Sequence, residues 1–305
     1  MKQDATPDFK VVYIGGYGRS GSTLLDIYIG NHDTFFSLGE LMQITRDTIK
    51  DEYCSCLAKI GECEFWAPVM KAWEEQRQLS MKKFKAYDDT YRLSLRNGLF
   101  HFKAMFKKDK QLAQYHEDYR LLIKLIQEKS QANYLVDSSK NPFRLLLYKR
   151  ILPKKNIVSI QIYRHCTRVL NSYRKPWKKD IEKGIEKDIA PRKTGKVLRK
   201  FVSHHFWTRW LSIGIRRKTV IYERIIVEDD YRDKMMSYIA GKSMKSEVTN
   251  MKPGHLIAGN RLRLQQDIVF QGNLLKKGLK GKYVTGKEVF ISRTVNALTR
   301  LLILS

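Results

Sequence analysis

The chain has 305 residues and a formal net charge of +27, from 58 lysine and arginine residues against 31 aspartate and glutamate residues. A surplus of this size attracts anions such as nucleotides, acidic glycans, nucleic acid and lipid headgroups, without choosing among them. No stretch approaches the roughly 18 apolar residues that span a bilayer, and the first residues lack the apolar core of a signal peptide, so we expect a soluble, cytoplasmic protein.

The first motif is a glycine-rich turn between an apolar strand and an apolar helix. The strand ends at Tyr13-Ile14-Gly15, the turn runs from Gly16 to Gly21, and the helix begins with Ser22-Thr23-Leu24. Backbone N–H groups of the turn and the helix converge on one point, and Arg19 adds a full positive charge. The stretch matches the pattern G-x-x-x-x-G-K-[ST] except that Ser22 replaces the lysine. We therefore predict a phosphate or sulfate site and disfavour an ATP or GTP hydrolase.

The next segment carries one acidic candidate and a group of cysteines. Glu40 lies in Leu38-Gly39-Glu40-Leu41, after the first helix. Cys54, Cys56 and Cys63 precede Phe65-Trp66, and no fourth zinc ligand is evident near them. A structural clip, either a local disulfide or packed thiols, is favoured over a metal site, and free thiols are expected in a reducing cytosol.

Residues 67–131 have a helical composition, with aromatic and leucine residues recurring among charges. This recurrence is more typical of the packed faces of amphipathic helices than of a base-stacking surface. We interpret the segment as a helical insertion that forms one wall of the site, on the side where a second substrate, the acceptor, would bind.

Polar or charged residues follow two predicted strands. Leu135-Val136-Asp137 leads to Lys140, at a strand end where open α/β sheets bind ligands, although a surface lysine is the alternative. The segment 156–163 predicts a buried strand that ends at Arg164, and the following helix carries Ser172.

Basic segments dominate the second half of the chain. Residues 174–200 are interpreted as a mobile basic lid or, equally, as a solvated charge run. Residues 218–221 predict a strand before Tyr222-Glu223, and 276–287 predict a flexible basic loop before a closing helix. The apolar tail 298–304 and the lysine-rich segments also suggest peripheral membrane contact.

The motifs resemble those of the sulfotransferases that use 3′-phosphoadenosine 5′-phosphosulfate (PAPS). Arg19-Ser20-Gly21-Ser22-Thr23 satisfies their 5′-phosphosulfate loop, [RK]-[ST]-G-[ST]-[ST], and Arg164 and Ser172 have the spacing of their 3′-phosphate signature. The cysteine cluster before Phe-Trp is similar to one in bacterial members. The glycine-glutamate pair at 39–40, the 135–142 strand end, Tyr222-Glu223 and the 255–263 segment are similar to elements of bacterial and tyrosylprotein members, although Arg224-Ile225 departs from the usual Asp-Leu.

The resemblance covers residues 10–270 and implies an α/β fold with a three-layer, P-loop-like parallel sheet flanked by helices. It implies one sulfotransferase domain over 1–305, with the helical insertion at 67–131 and the basic lid at 174–200. PAPS would be the donor, with Arg261 and Arg263 as second-rank ligands of its 3′-phosphate. The implied donor-binding residues are Arg19, Ser20, Gly21, Ser22, Thr23, Arg164, Ser172, Arg261 and Arg263.

The implied catalytic residues are Arg19, Lys140 and Glu40. Arg19 and Lys140 would neutralise charge on the bridging oxygen, and no metal is required because the donor has no triphosphate. Small-molecule members of the family use a histidine base at the strand end that corresponds to 137–140, and this chain has none there. The resemblance therefore leaves Glu40 as the general base, at the position that matches the catalytic glutamate of tyrosylprotein and some glycan members. A helix-capping or salt-bridged glutamate is the alternative, and Asp137 or His165 would then be the base.

The acceptor is not readable from the residues. Charge and the missing histidine favour a carbohydrate or glycolipid hydroxyl, with peptide tyrosine and small lipids or metabolites behind. A P-loop kinase-like enzyme or nucleotidase would need a Walker lysine and a magnesium-binding carboxylate. A nucleic-acid-binding protein would account for the charge, but no zinc finger, helix-turn-helix or RNP pattern is present, so no specific nucleic acid is expected. The oligomeric state is not predicted.

Overall fold

Five parallel strands form the central sheet. The computed structural model describes residues 9–92, 109–176, 190–245, 248–270 and 283–304. The strands are β1 (Lys10–Gly15), β2 (Phe35–Gly39), β3 (Tyr134–Asp137), β4 (Ile157–Tyr163) and β5 (Arg216–Ile221), hydrogen-bonded in the order β2-β3-β1-β4-β5.

The strands are apolar on both faces because helices cover both faces of the sheet. Val11 and Tyr13 of β1 belong to one core cluster, whereas Val12 and Ile14 belong to another. This alternation follows from the two-residue period of a strand, and burial on both faces is the usual state of a parallel sheet.

The helices divide between the two faces. The helices are α1 (Ser22–Gly30), α2 (Ile44–Ile49), α3 (Trp66–Arg77), α4 (Met81–Tyr91), α5 (Lys110–Ser130), α6 (Arg144–Ile151), α7 (Cys166–Arg174), α8 (Thr194–Leu211), α9 (Tyr222–Val227), α10 (Asp229–Ala240) and α11 (Gly286–Leu304). Residues of α3, α4, α5 and α6 belong to the same core cluster as Val11, whereas residues of α1 and α10 belong to the cluster of Val12. Residues of α7, α8 and α11 form a third cluster with Tyr163.

The predicted fold class is confirmed, because a parallel sheet lies between two layers of helices. Short 3₁₀ turns occur at Leu41–Gln43, Ile60–Glu62, Lys154–Asn156 and Arg261–Leu264. The carboxyl end of β1, where the glycine-rich turn begins, lies between β3 and β4. Such an end is where open α/β sheets bind ligands. The single-domain extent of the chain stays a prediction.

The predicted helical insertion contains α3, α4 and α5, and residues 93–108 lie outside the described residues. Its aromatic side chains Trp73, Phe84 and Tyr119 are fully buried in the core, as expected for packed helix faces. The buried Asp88 of α4 accepts hydrogen bonds from the hydroxyls of Tyr115 and Tyr119, both at 2.9 Å. A buried carboxylate with several donors fixes the position of α4 against α5.

Helices begin inside two of the predicted basic segments, and the lid itself stays a prediction. Residues 194–200 of the predicted mobile lid are the first turns of α8, and 177–189 lie outside the described residues. The closing helix α11 begins at Gly286, so the predicted loop ends earlier than 287, and 276–282 also lie outside the described residues. Within the described ranges, no helix has the length and apolar character to cross a bilayer. Membrane contact stays a prediction.

Candidate functional site

The glycine-rich turn between β1 and α1 contains a position where the backbone conformation and a close contact require glycine. Gly21 has φ +93°, and a Cβ there would lie 2.2 Å from the ring of Tyr222. Arg19 also takes the left-handed conformation, with φ 68°. Non-glycine residues rarely adopt this conformation, and such strain concentrates at functional sites. The turn thus delivers Arg19 and the first N–H groups of α1 to one place.

Two arginines flank this turn. Arg164, directly after β4, donates from Nη1 to the carbonyl of Arg19 at 2.9 Å and lies 4.5 Å over the ring of Tyr222. Burial lowers the pKa of both guanidinium groups. This direction shows that both positive charges are poorly solvated, which favours an anion beside them.

Arg164 Nε is a buried donor beside the turn that has no hydrogen-bond partner among the described residues. The Ser20 and Tyr17 hydroxyls of the turn are also buried without a partner among them. Buried donors are almost always satisfied in native proteins, so an unsatisfied guanidinium N–H needs an explanation. An anion with several acceptor oxygens beside Arg164 would supply its partner.

A salt bridge joins the ends of β2 and β3 at the same side of the sheet. Lys140 Nζ contacts Glu40 Oε1, and the two side chains are 15% and 20% exposed. Backbone contacts fix the two strand ends, because Ser138 N donates to Gly39 O at 2.8 Å. Lys140 has φ 61°. Glu40 makes no capping hydrogen bond to the following 3₁₀ turn. The capping alternative is therefore not found, whereas the salt bridge is.

The two alternative bases lie elsewhere. Asp137 is fully buried and accepts hydrogen bonds from Ser139 N at 2.8 Å, Arg144 Nε at 3.2 Å and the Tyr148 hydroxyl. His165 caps α7, and burial, helped by neighbouring arginines, lowers its pKa to about 4. Neither side chain is among the described residues that line the site.

The segment 255–263 borders the site on the side of β2. Ile257 N donates to Leu38 O at 3.0 Å, and Ile257 O accepts from Glu40 N at 2.7 Å. Farther along, Asn260 N donates to Thr23 Oγ1 at 3.3 Å. The segment therefore brings Arg261 and Arg263 to the same site. Arg263 is buried and donates from Nη1 to Tyr53 O at 2.7 Å.

These elements surround a cleft of about 1110 Å³, here called the donor cleft after the donor that the sequence resemblance implies. All of the predicted site residues line it except Ser20, which is buried behind the turn. Its described lining contains eight cationic side chains against four carboxylates. The cations are Arg19, Arg46, Lys140, Arg164, Arg192, Lys200, Arg261 and Arg263, and the carboxylates are Glu40, Asp47, Glu52 and Asp267.

Several lining residues were not singled out from the sequence. Arg192 lies 4.6 Å from the centre of the Tyr173 ring, and Lys200 is in the second turn of α8. Both belong to the segment predicted as a basic lid, so charge density was the available signal. Arg46, in α2, carried no sequence signal. None of the described residues of 67–131 lines the donor cleft, so the expected wall on the acceptor side is not found there.

The structure agrees with one expectation about the cysteines and contradicts another. Cys54, Cys56, Cys63 and Cys166 are free thiols, so the local disulfide is not found. The expectation that the first three lack a fourth partner is wrong, because the side chain of His255 lies among them. This partner was not evident from the sequence, because Cys63 and His255 are 192 positions apart.

Comparisons with known proteins identify the fold. No protein-family model and no curated protein matches the chain. Among solved structures, it is similar to the sulfotransferase domain from the curacin biosynthetic pathway, with a TM-score of 0.50 and 14% identity over 95% of this chain and 98% of that chain. The fold is that of a sulfotransferase domain. The sulfotransferase domain from the Synechococcus PCC 7002 olefin synthase has a TM-score of 0.45 and 15% identity over 97% of this chain and 98% of that chain.

Proposed function

We propose that the protein is a PAPS-dependent sulfotransferase that acts on a hydroxyl of a carbohydrate or glycolipid. One observation carries the proposal: a phosphate-type turn, a partly unsatisfied arginine on the neighbouring strand and a glutamate–lysine pair share one donor cleft. A simple anion site would need only the first of these. The proposal includes a cytoplasmic location.

The donor fits the residues present. Its 5′-phosphosulfate would occupy the turn between Gly16 and Gly21, where N–H groups and Arg19 converge. Its 3′-phosphate would lie between Arg164 and Ser172, both of which line the donor cleft. Arg164 Nε would then gain the acceptor that the described residues do not supply. Guanidinium groups suit phosphates because they donate two parallel hydrogen bonds.

The transfer step would use Lys140, Arg19 and Glu40. The acceptor oxygen forms a bond to sulfur while the bond from sulfur to the bridging phosphate oxygen breaks, giving a sulfate ester and adenosine 3′,5′-bisphosphate. Lys140 and Arg19 would stabilise the negative charge on the departing oxygen. Glu40 would take the proton of the acceptor hydroxyl. In-line transfer places the acceptor oxygen and the departing oxygen on opposite sides of the sulfur, so the contact between Glu40 and Lys140 would have to open when both substrates bind.

The acceptor assignment rests on charge. The described lining has twice as many cations as carboxylates, and only some of those cations can contact a donor. The remaining cations, such as Arg192 and Lys200, suit an acceptor that itself carries negative charge. An acidic carbohydrate or glycolipid has this property.

The test is transfer of labelled sulfate from PAPS to a panel of neutral and acidic oligosaccharides, glycolipids, phenols and tyrosine peptides. We expect the label on a carbohydrate hydroxyl and no transfer from adenosine 5′-phosphosulfate, which lacks the 3′-phosphate. Transfer only to phenols or peptides would overturn the carbohydrate assignment. Magnesium-dependent turnover of ATP without any PAPS turnover would overturn the sulfotransferase assignment in favour of a kinase-like enzyme.

A further inference from the structure

Four side chains of types that commonly ligate metals meet in the loop that follows α2. Their ligand atoms all lie within 4.8 Å of one another. Three come from the Ile49–Trp66 connection and the fourth from the late segment that reaches the end of β2. We call this group the Cys3His cluster; its members are Cys54, Cys56, Cys63 and His255.

The distances match those around one tetrahedral ion. Cys56 Sγ and Cys63 Sγ are 3.6 Å apart, and His255 Nδ1 lies 3.3 Å from Cys63 Sγ and 3.9 Å from Cys54 Sγ. Zinc bonds of about 2.3 Å to sulfur and about 2.0 Å to nitrogen place tetrahedral ligands roughly 3.5 to 3.8 Å apart. The donors are thus spaced for zinc.

The surroundings of His255 also suit a ligand. Its Nδ1 faces the thiols, while its Nε2 lies 3.4 Å from Glu64 Oε1. A metal-bound histidine commonly directs its second ring nitrogen at a carboxylate, which fixes the tautomer. The ring stacks on Phe65 at 5.6 Å, and the backbone oxygen of His255 accepts from Trp66 Nε1 at 2.6 Å. The imidazole is therefore oriented by three neighbours.

Backbone hydrogen bonds hold the cysteines in place. Cys54 N donates to Ala58 O at 2.9 Å, which closes a tight turn around Cys56. Ser55 links this turn to the histidine segment, because Ser55 N donates to Leu256 O at 3.2 Å and Ser55 Oγ accepts from Leu256 N at 2.6 Å. Packed thiols alone would not require an imidazole nitrogen aimed at them.

We propose that the Cys3His cluster binds one Zn²⁺ ion as a closed, structural site. Three sulfurs and one nitrogen are a common ligand set of structural zinc, and they leave no open position for a substrate. The ion would fix the segment that carries Ile257, Arg261 and Arg263 against the end of β2. The cluster is not among the described residues lining the donor cleft, so this proposal is independent of the proposed transfer reaction.

The test is metal analysis of the full-length protein purified under reducing conditions and dialysed without strong chelator. We expect about one zinc per chain in the wild-type protein and near zero in Cys56→Ser and His255→Ala. Cys166→Ser is the matched control, because Cys166 is the fourth free cysteine and lies in α7. It should retain the zinc.

A second measurement does not depend on how the variants fold. Wild-type protein stripped with a chelator under reducing conditions should take up one Co²⁺ and show the visible bands of tetrahedral thiolate coordination, which zinc then removes. Zinc loss should also lower the melting temperature. Absence of zinc with no cobalt spectrum, iron in place of zinc, or a disulfide between two of the cluster cysteines in the reduced preparation would each overturn the proposal.

Discussion

Glu40 and Lys140 form a salt bridge at the ends of two neighbouring strands, although one hundred positions separate them in the chain. The pair lines the donor cleft, and each side chain is mostly but not fully buried. A buried ion pair is weak evidence for stability, because desolvation offsets much of the attraction. Its position beside the glycine-rich turn gives it a second explanation, in which one partner holds the acceptor proton and the other the leaving group.

Replacing Glu40 by glutamine tests this role. Glu40→Gln keeps the size of the side chain but removes the proton acceptor, so donor binding should persist while turnover falls about 10²- to 10⁴-fold. The loss should be larger for a sugar hydroxyl than for a phenol, because the sugar hydroxyl is far less acidic. Calorimetry with adenosine 3′,5′-bisphosphate measures binding, and labelled-sulfate transfer measures turnover.

A matched control is Glu52→Gln, which removes another carboxylate from the lining of the donor cleft. It changes the local charge equally and should leave turnover within a few-fold of wild type. Transfer by Glu40→Gln at the wild-type rate would assign Glu40 to the salt bridge alone. Loss of donor binding together with turnover would make it a structural residue.

Replacing Arg164 tests the site of the 3′-phosphate. Arg164→Ala removes a charge-assisted contact of roughly 1.5 to 3 kcal/mol, so the Kd of adenosine 3′,5′-bisphosphate should rise at least tenfold. Binding of adenosine 5′-phosphate should change little, because it lacks the 3′-phosphate. Arg168→Ala is the matched control: Arg168 lies four positions farther on and pairs with Glu223 at 3.8 Å. Equal losses in both variants would refute the assignment of Arg164.

The glycine-rich turn can be tested with one methyl group. A Cβ at Gly21 would lie 2.2 Å from the Tyr222 ring, on a backbone with φ +93°. Gly21→Ala should therefore displace Tyr222 and lower the affinity for adenosine 3′,5′-bisphosphate at least tenfold. Gly195→Ala is the control, because no atom lies within 4 Å of its added Cβ. It should keep full binding and change stability by no more than about 1 kcal/mol.

Asp26, in α1, gives a pH prediction. Burial raises its pKa from the usual 3.8 to about 7, against the lowering effect of the hydrogen bond from Ser138 Oγ at 2.6 Å. The folded protein therefore binds more protons than the unfolded chain between these pH values. Its free energy of unfolding should fall as pH rises through this window, by at most about 4 kcal/mol from this group.

Asp26→Asn removes this titration. Relative to wild type, the variant should gain stability steadily from pH 4 to pH 7 and no further above that, as measured by urea unfolding. Parallel stability curves for the two proteins would show that the pKa of Asp26 is not raised.

Local patterns in the sequence were sufficient for most of the sheet and for the anion-binding turn. The strand at 157–163 is apolar at nearly every position, as a strand buried on both faces must be, and the predicted strand and following helix are both present. Gly16 and Gly21 were informative because their backbone conformations exclude other residues. In these places the residue types alone were enough to predict the local backbone structure.

Other features depend on contacts between distant residues. No local pattern places His255 beside Cys63 or the Tyr222 ring against Gly21, because both contacts form only when the carboxyl ends of the strands assemble. The helical composition of 67–131 was predicted correctly, but none of its described residues lines the donor cleft, and its place on the acceptor side stays a prediction. Amphipathic periodicity identifies a buried face without identifying the surface that covers it.

The β-bridge between Gly39 and Ile257 also bears on self-association of the protein. Strand β2 lies at the edge of the sheet, and an unpaired edge can template pairing with another chain. Ile257 uses the backbone groups of Leu38 and Glu40 and covers the end of that edge. Any change that releases the 255–263 segment therefore exposes a strand edge. Loss of the Cys3His cluster should then appear first as aggregation.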